Sequence, residues 1–261
     1  MPDMIIESRQ NPLVKQLVKL QESTKERKTQ GVTVLEGIHL VSAALAAGQA
    51  LQRCVLAQSA QNNMEVMQVL SSISCPVTWV SDAVFKHISE LKTPTGILAV
   101  WAIPFTHPVL QEVRTSLLLE DIQDPGNIGS ILRSAAATGV DAVYCSPACA
   151  DVYAPRVLRA GMGAHFVLPI VQNAALITIA QAWHGQLLAT SLQAHHSLYE
   201  LNLQGACGFM FGNEGAGLSP ALQACAHQQI IIPMSGRVES LNVAAAAAVC
   251  AQRGLPMRQR V

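Results

Sequence analysis

The chain has 261 residues, half of them hydrophobic but only 4% aromatic, and a formal net charge of zero. That length allows one large or two ordinary domains with cores of Ala, Val, Leu and Ile. The balanced charge argues against a strongly basic coat for nucleic acid, though not against a local basic site. No apolar run reaches the roughly 20 residues of a membrane span, and the opening MPDMIIESRQ lacks the apolar centre of a signal peptide. The seven cysteines are scattered with no Cys-x-x-Cys. They read as buried or idle thiols in a reducing cytoplasm, and no metal site is expected.

In chain order, SRQNPLVKQLVKLQESTKERKTQG (8–31) predicts a polar amphipathic helix, with Leu13, Leu17 and Leu20 on one face and Gly31 as the stop. VTVLEG (32–37) is a short strand and HLVSAALAAG (39–48) a helix closed by Gly48. CVLAQ, a helix at 61–73, VTWVS, a helix near 82–90 and GILAVW (96–101) continue the alternation. This pattern predicts a small α/β domain over residues 1–104. Pro104 and Pro108 interrupt it, which places a linker at 105–115 and a second domain at 116–261.

The second alternation begins with SLLLE (116–120), a loop DIQDPGN and a helix IGSILRSAAAT. Strands follow at AVYCS (142–146), FVLPIV (166–171), QLLATSL (186–192), GFMFG (208–212) and QIIIPM (229–234), and the tail LPMRQRV reads as frayed. Wholly apolar strands separated by helices predict a mostly parallel sheet covered on both faces. Ligands of such sheets sit at the carboxyl ends of the strands.

Three apolar strands there run straight into polar, glycine-bearing turns. In LLLEDIQDPGNIGSILR (117–133), Pro125 and Gly126 turn the chain and Asn127 can cap a helix whose inward stripe is Ile128, Ile131, Leu132 and Ala135, with Arg133 off it. In FGNEGAGLSP (211–220), three glycines let the backbone approach a ligand closely, Glu214 sits mid-turn, and Ser219-Pro220 opens another helix. In IIPMSGRVESLNVAAAAA (231–248), Ser240 or Asn242 would each suffice as the N-cap, so one polar side chain is surplus to local structure. Three such turns converge on one crevice, a signal for a small-molecule site. Neither GxGxxG nor GxxxxGK[ST] occurs, so neither nucleotide motif applies.

These stretches, NIGSILR with the preceding DP, FGNEGAGL and IPMSGRVESLNVAAA, closely resemble the three signature motifs of the SpoU (TrmH) branch of the SPOUT RNA methyltransferases. The N-terminal NPLVKQLVKLQ…GVTVLEGIHLVSAALAAG and TPTGILAVW resemble the substrate-binding domain that precedes the catalytic domain in ribosomal RNA members. One departure is RAGMGA (159–164), with Gly161 where relatives often carry Ser. The resemblance implies methylation of a ribose 2′-hydroxyl in RNA, most simply ribosomal, with S-adenosylmethionine as methyl donor. A transfer RNA enzyme or a non-catalytic assembly factor are the alternatives. It also implies a C-terminal trefoil knot, an L30e-like N-terminal domain and a homodimer formed through the catalytic domain.

By motif position the resemblance assigns Gly212, Ile232 and Leu241 to the cofactor, with Thr190 and Ser191 in the neighbouring loop. It makes Arg133 the central catalytic group, as base or, more simply for a permanently protonated side chain, as a contact to the target phosphate and the developing alkoxide. Asn127, Ser240 and Asn242 then orient the hydroxyl, Arg133 or the cofactor, and Glu214 orients Arg133 or anchors its turn. All nine cations up to Lys92 are a Lys/Arg mixture, whereas all eight beyond it are Arg. Arg156 and Arg159, three apart on a predicted helix, are candidate RNA contacts beside Lys15, Lys19 and Arg27 of the N-terminal segment.

Overall fold

The computed structural model describes residues 4–254; the tail 255–261 lies outside the described residues. The chain divides into two compact units. One holds residues up to Pro104 together with Tyr153–Phe166, and the other holds Phe105–Val152 and the chain from Val167 onward.

The first unit runs β1 (Ile5–Ile6), α1 (Pro12–Glu22), α2 (Thr24–Gln30), β2 (Val32–Glu36), α3 (Ile38–Ala46), β3 (Leu51–Ala57), α4 (Met64–Leu70), β4 (Val77–Val80), α5 (Asp82–Ile88) and β5 (Ile97–Ala102). Its five-stranded sheet has the order β1-β4-β3-β5-β2. β1, β4 and β3 are parallel, whereas β5 runs antiparallel to both β3 and β2. The single helix expected over 8–31 is two, because Ser23 ends one and starts the next. Its amide donates to the Lys19 carbonyl at 2.8 Å, and its hydroxyl accepts from the Glu26 amide at 3.3 Å. Val14, rather than Leu13, joins Leu17 and Leu20 on the buried stripe.

That break also overturns one reading of a basic side chain. Arg27, expected as an RNA contact, is 3% exposed, and its guanidinium donates to the carbonyls of Leu20 at 2.7 Å and Gln21 at 2.9 Å. It satisfies the open C-terminal end of α1, where carbonyls need donors and the helix dipole favours a cation. Lys15 and Lys19 stay exposed on α1, and Lys19 reaches Glu26 at only 4.0 Å.

The second unit runs β6 (Thr115–Leu119), α6 (Pro125–Ala137) and β7 (Ala142–Cys145), and beyond it come α7 (Pro155–Gly161) of the first unit and then β8 (Ile170–Val171). It continues with α8 (Leu176–Gln181), β9 (Gln186–Thr190), β10 (His196–Ser197), β11 (Cys207–Phe211), α9 (Pro220–Gln223), β12 (Gln228–Ile231) and α10 (Val243–Gly254). Its seven-stranded sheet, order β10-β12-β9-β11-β6-β7-β8, is parallel at every pairing. β6, β7 and β11 are buried at every residue, as a sheet covered on both faces requires. The strand expected over 166–171 shrinks to Ile170–Val171, because Ala164–Phe166 forms a 3₁₀ turn.

The segment Tyr153–Phe166 belongs with the N-terminal residues, which departs from an unbroken domain over 116–261. Thr33 donates its hydroxyl to the Tyr153 carbonyl at 2.7 Å, and Trp101 meets Phe166 edge-on at 5.0 Å between ring centroids. Arg159 of α7 pairs with the carboxylates of Glu36 at 3.5 Å and Glu90 at 2.8 Å. Glu36 is buried and also accepts from Gln21 and Ser89. Arg159 is therefore engaged inside the unit and leaves the set of candidate RNA contacts, whereas Arg156 remains exposed.

A fragment that begins at Phe105 keeps Tyr153, Val157, Leu158 and Phe166, all buried in the whole chain, without their partners. It should bind a hydrophobic dye and unfold without a sharp transition. Cooperative melting equal to that of the whole chain would contradict this. Arg159→Ala in the intact chain should lower stability by roughly 1–3 kcal/mol in a denaturant titration, because a buried carboxylate loses a cation.

Candidate active site

The parallel arrangement puts the carboxyl ends of β6, β9, β11 and β12 on one edge. Ala189 lies opposite Met210 and Thr190 opposite Ile230, so β9, β11 and β12 end at a common level. The loops that leave this edge carry the three polar turns.

α6 opens with Asp124 as its N-cap, the Asp124 carboxylate accepting from the Asn127 amide at 2.8 Å, with Pro125 in the first turn. Asn127 is not the cap, contrary to the sequence reading. Because Asp124 satisfies that end, the Asn127 side chain is released for other work. Its Nδ2 donates to Glu214 Oε1 at 2.8 Å, and its Oδ1 accepts from Asn242 Nδ2 at 2.9 Å. Asn242 at the same time caps α10, its Oδ1 accepting from the Ala244 amide at 2.8 Å. Glu214, Asn127 and Asn242, which come from the loop after β11, the first turn of α6 and the loop after β12, thus form one hydrogen-bonded chain. Ser240 is the surplus polar group: it is exposed and makes no hydrogen bond among the described residues.

The turn that bears Glu214 is tied down at both ends. Asn213 donates to the Asp121 carbonyl at 2.9 Å and accepts from the amides of Gly215 and Ala216 at 2.9 and 3.0 Å. At the far end Glu120 accepts from the Ser219 amide and hydroxyl, both at 2.7 Å. A Cβ on Gly212 would lie 2.1 Å from the Gly217 carbonyl carbon, so the two limbs of the turn touch backbone to backbone and only glycine fits. Asn213, Glu120 and Asp121 were missed in the sequence. Their signal was present as the polar residues flanking each strand end, but the partners lie 92 and 99 positions apart.

The cofactor candidates divide. The backbone groups of Gly212, Ile232 and Leu241 make no hydrogen bond among the described residues, and Leu241 is 39% exposed. Open backbone donors and acceptors on adjoining loops suit a polar ligand. Thr190 and Ser191 are partly spent on the fold: the Thr190 hydroxyl donates to the Met210 carbonyl at 2.9 Å, and the Ser191 amide donates to that of Ile230 at 3.0 Å. Arg133 projects from the exposed side of α6, away from the fully buried Ile128, Ile131, Leu132 and Ala135. Glu214 is hydrogen-bonded to Asn127, and no hydrogen bond or ion pair joins it to Arg133 among the described residues. Among the described residues no cluster of three or more His, Cys, Asp or Glu can hold a metal ion, and no helix is long and apolar enough to cross a membrane.

A parallel sheet with three polar loops at its carboxyl edge and open backbone groups there is the arrangement by which α/β proteins hold a ligand. Comparison with known proteins makes this specific. Residues 114–252 match the SpoU rRNA Methylase family and residues 11–99 the MRM3-like substrate binding domain. The chain belongs to the SpoU rRNA methylase family. It is 32% identical to the 23S rRNA (guanosine(2553)-2′-O)-methyltransferase RlmP of Bacillus subtilis, over 94% of this chain and 96% of that protein. It is 40% identical to an uncharacterized tRNA/rRNA methyltransferase of Synechocystis, over 94% and 90% respectively. The SpoU methyltransferase AviRb of Streptomyces viridochromogenes, solved with AdoMet, superposes with a TM-score of 0.85 at 25% identity, covering 96% of this chain and 98% of that one. The AdoMet-bound rRNA methyltransferase of Sinorhizobium meliloti gives 0.83 at 25% identity, over 99% and 98%. The chain is an RNA methyltransferase with S-adenosylmethionine as its cofactor.

Two substitutions at one position separate the roles of Asn242. Asn242→Asp keeps the N-cap acceptor but has no donor for Asn127, so thermal stability should hold while methyl transfer falls by roughly ten-fold, the size of one hydrogen bond. Asn242→Ala should lose about 1 kcal/mol of stability as well. Equal stability in the two variants would show that Asn242 does not cap α10.

Proposed function

We propose that this protein methylates a ribose 2′-hydroxyl in ribosomal RNA, with catalysis at the carboxyl edge of the seven-stranded sheet. The observation that carries the reading is the Glu214–Asn127–Asn242 chain, which binds the three motif loops into one site. S-adenosylmethionine supplies an electrophilic methyl group, and the open backbone of Gly212, Ile232 and Leu241 is the place to hold it. Thr190 and Ser191 shape the neighbouring loop. The attacking hydroxyl must lie in line with that methyl and lose its proton as the bond forms. Asn127, Ser240 and Asn242 orient it, and the Arg133 guanidinium offers a planar fork to the flanking phosphate and to the developing alkoxide.

In the same reading residues 1–104 form an L30e-like RNA-binding domain, 105–115 a linker, and the catalytic domain ends in a trefoil knot made by the loops that carry the second and third motifs. Lys15 and Lys19 on α1 and Arg156 on α7 serve as phosphate contacts. The protein works in the cytoplasm as a homodimer paired through the catalytic domain, where α6 and α10 are rich in small side chains that allow close approach. Sedimentation at micromolar concentration should show the dimer, and a monomer alone would refute it.

Arg133 gives the sharpest test. Arg133→Ala should leave S-adenosylmethionine affinity nearly unchanged by calorimetry while slowing single-turnover methylation by roughly two to three powers of ten. Arg133→Lys should also be slow, since a point charge does not replace a planar fork. Full activity in the alanine variant would remove Arg133 from catalysis, and lost cofactor binding would move it into the cofactor site. Mapping ribose methylation across ribosomal and transfer RNA in a deletion strain would identify the nucleotide, and a loss confined to transfer RNA would overturn the ribosomal assignment.

A further inference from the structure

The chain turns away from the sheet at Asp121, and it does so with more apparatus than a turn requires. One residue beyond the end of β6 the strand is still bonded to β11, the Glu120 amide donating to the Phe211 carbonyl at 2.8 Å. Asp121 then sits at φ +57°, a left-handed conformation that glycine takes freely and that aspartate and asparagine tolerate better than other residues. Glycine would turn the chain there at less cost. The sequence carries an aspartate instead, so its side chain has a task of its own.

That task is visible at Ser146, the residue that follows β7. The Ser146 hydroxyl donates to the Asp121 carboxylate at 2.6 Å and accepts from the Asp121 amide at 2.9 Å. The Ser146 amide donates to the Leu119 carbonyl at 2.9 Å, which ties its own backbone to β6. Ser146 is only 9% exposed, so water competes little for these bonds. One hydroxyl thus closes a ring on one residue, through its side chain and its backbone amide together. A ring closed at both points holds Asp121 in one conformation and so fixes the direction of its carbonyl.

The Glu214 turn hangs from that carbonyl. Asn213 Nδ2 donates to it at 2.9 Å, while Asn213 Oδ1 accepts from the amides of Gly215 and Ala216 at 2.9 and 3.0 Å. The same side chain both shapes the turn and moors it. Gly212 is the next residue along, pressed against the Gly217 backbone, so a shift of Asn213 carries the Gly212 backbone with it. Ser146, Asp121 and Asn213 follow the ends of β7, β6 and β11, and they join these three ends in a single line.

Resting on the reading that the Gly212 turn holds the cofactor, we propose that Asp121, locked by Ser146, is a positioning residue for S-adenosylmethionine. Its carbonyl aims the Asn213 turn, and its carboxylate keeps that aim without touching cofactor or RNA. Groups already set in place bind a ligand without the cost of being ordered on its arrival. A residue that only turned the chain could be glycine. One that aims a carbonyl cannot, because glycine keeps the turn and loses the lock.

Calorimetry with S-adenosylmethionine and thermal melting of the whole protein test this. Asp121→Gly should melt close to the parent, since relief of the left-handed conformation offsets the lost hydrogen bonds. Its Kd for the cofactor should nevertheless rise roughly ten-fold. Ser146→Ala should show the same rise, and the double variant should bind no worse than either single one, because both break one lock. Asp121→Asn tolerates the left-handed conformation and keeps an acceptor for the Ser146 hydroxyl, so affinity should return to within about two-fold of the parent. Parental affinity in Asp121→Gly, or additive losses in the double variant, would overturn the proposal. If the glycine variant fails to fold, Asn213→Asp decides: it keeps the acceptor for Gly215 and Ala216 but has no donor for Asp121, and unchanged affinity there would refute the mooring. Hydrogen exchange across residues 211–218 of the unaltered protein distinguishes the two layers of the inference. Protection by saturating S-adenosylmethionine is expected. Protection combined with unchanged affinity in the variants removes the positioning role alone. No protection removes the turn from the cofactor site, and the positioning role with it.

Discussion

Everything at the carboxyl edge depends on the side-chain amide of Asn127 using both of its ends at once. It donates to Glu214 and accepts from Asn242, and so it fixes three loops that the sheet alone leaves free. An amide is suited to this because it carries a donor and an acceptor at fixed separation, whereas a carboxylate only accepts. The chain works because Asp124, not Asn127, caps α6. Had Asn127 capped the helix, its Oδ1 would be turned to the helix amides and unavailable to Asn242. A local choice of cap thus decides whether the site can be assembled.

The bonds of this chain lie near solvent, where each is worth little in stability. Their rigidity comes from what stands behind them. Glu120 and Asp121, directly after the buried β6, grip Ser219 and Asn213 at the two ends of the Glu214 turn. The contact of Gly212 with the Gly217–Leu218 backbone leaves that turn no room to move inward. The outer polar chain is adjustable chemistry carried on an inner frame set by fully buried strands. Such division holds polar side chains at a fixed separation while leaving them open to solvent.

The sheet was legible in the sequence because β7 and β11 are apolar throughout and β6 and β9 carry apolar runs at their centres, as a doubly covered parallel sheet demands. The inward stripe of α6 and the capping of α10 by Asn242 were legible for the same reason: each is a local pattern. What escaped is non-local or very short. β1 and β10 have two residues each, too few to show a period. The break at Ser23 is hidden in a continuous polar run, and the burial of Arg27 follows from that break rather than from its neighbours in sequence. The pairing of Thr33 with Tyr153 spans 120 residues, so nothing near either residue announces that 153–166 belongs with the N-terminal unit. The motif residues themselves were found through resemblance, and their mutual geometry could not have been.

The arginines after Lys92 show why residue type alone could not sort structure from function. Arg159 is held by two carboxylates, and Arg253 donates to the Leu201 carbonyl at 3.2 Å. Arg133, Arg156 and Arg237 are exposed and have no hydrogen-bond or ion-pair partner among the described residues. In a chain with zero net charge, attraction of RNA cannot come from a general field. It must come from a few unneutralised cations at chosen places, each releasing counterions as it meets a phosphate. Arg133 and Arg237 lie on or beside the first and third motif segments, and Arg9, Lys15, Lys25, Lys86, Lys92 and Arg114 are likewise exposed with no side-chain partner among the described residues. Free cations are thus present on both units, and the two beside the motif segments are those that the carboxyl edge can offer to a phosphate.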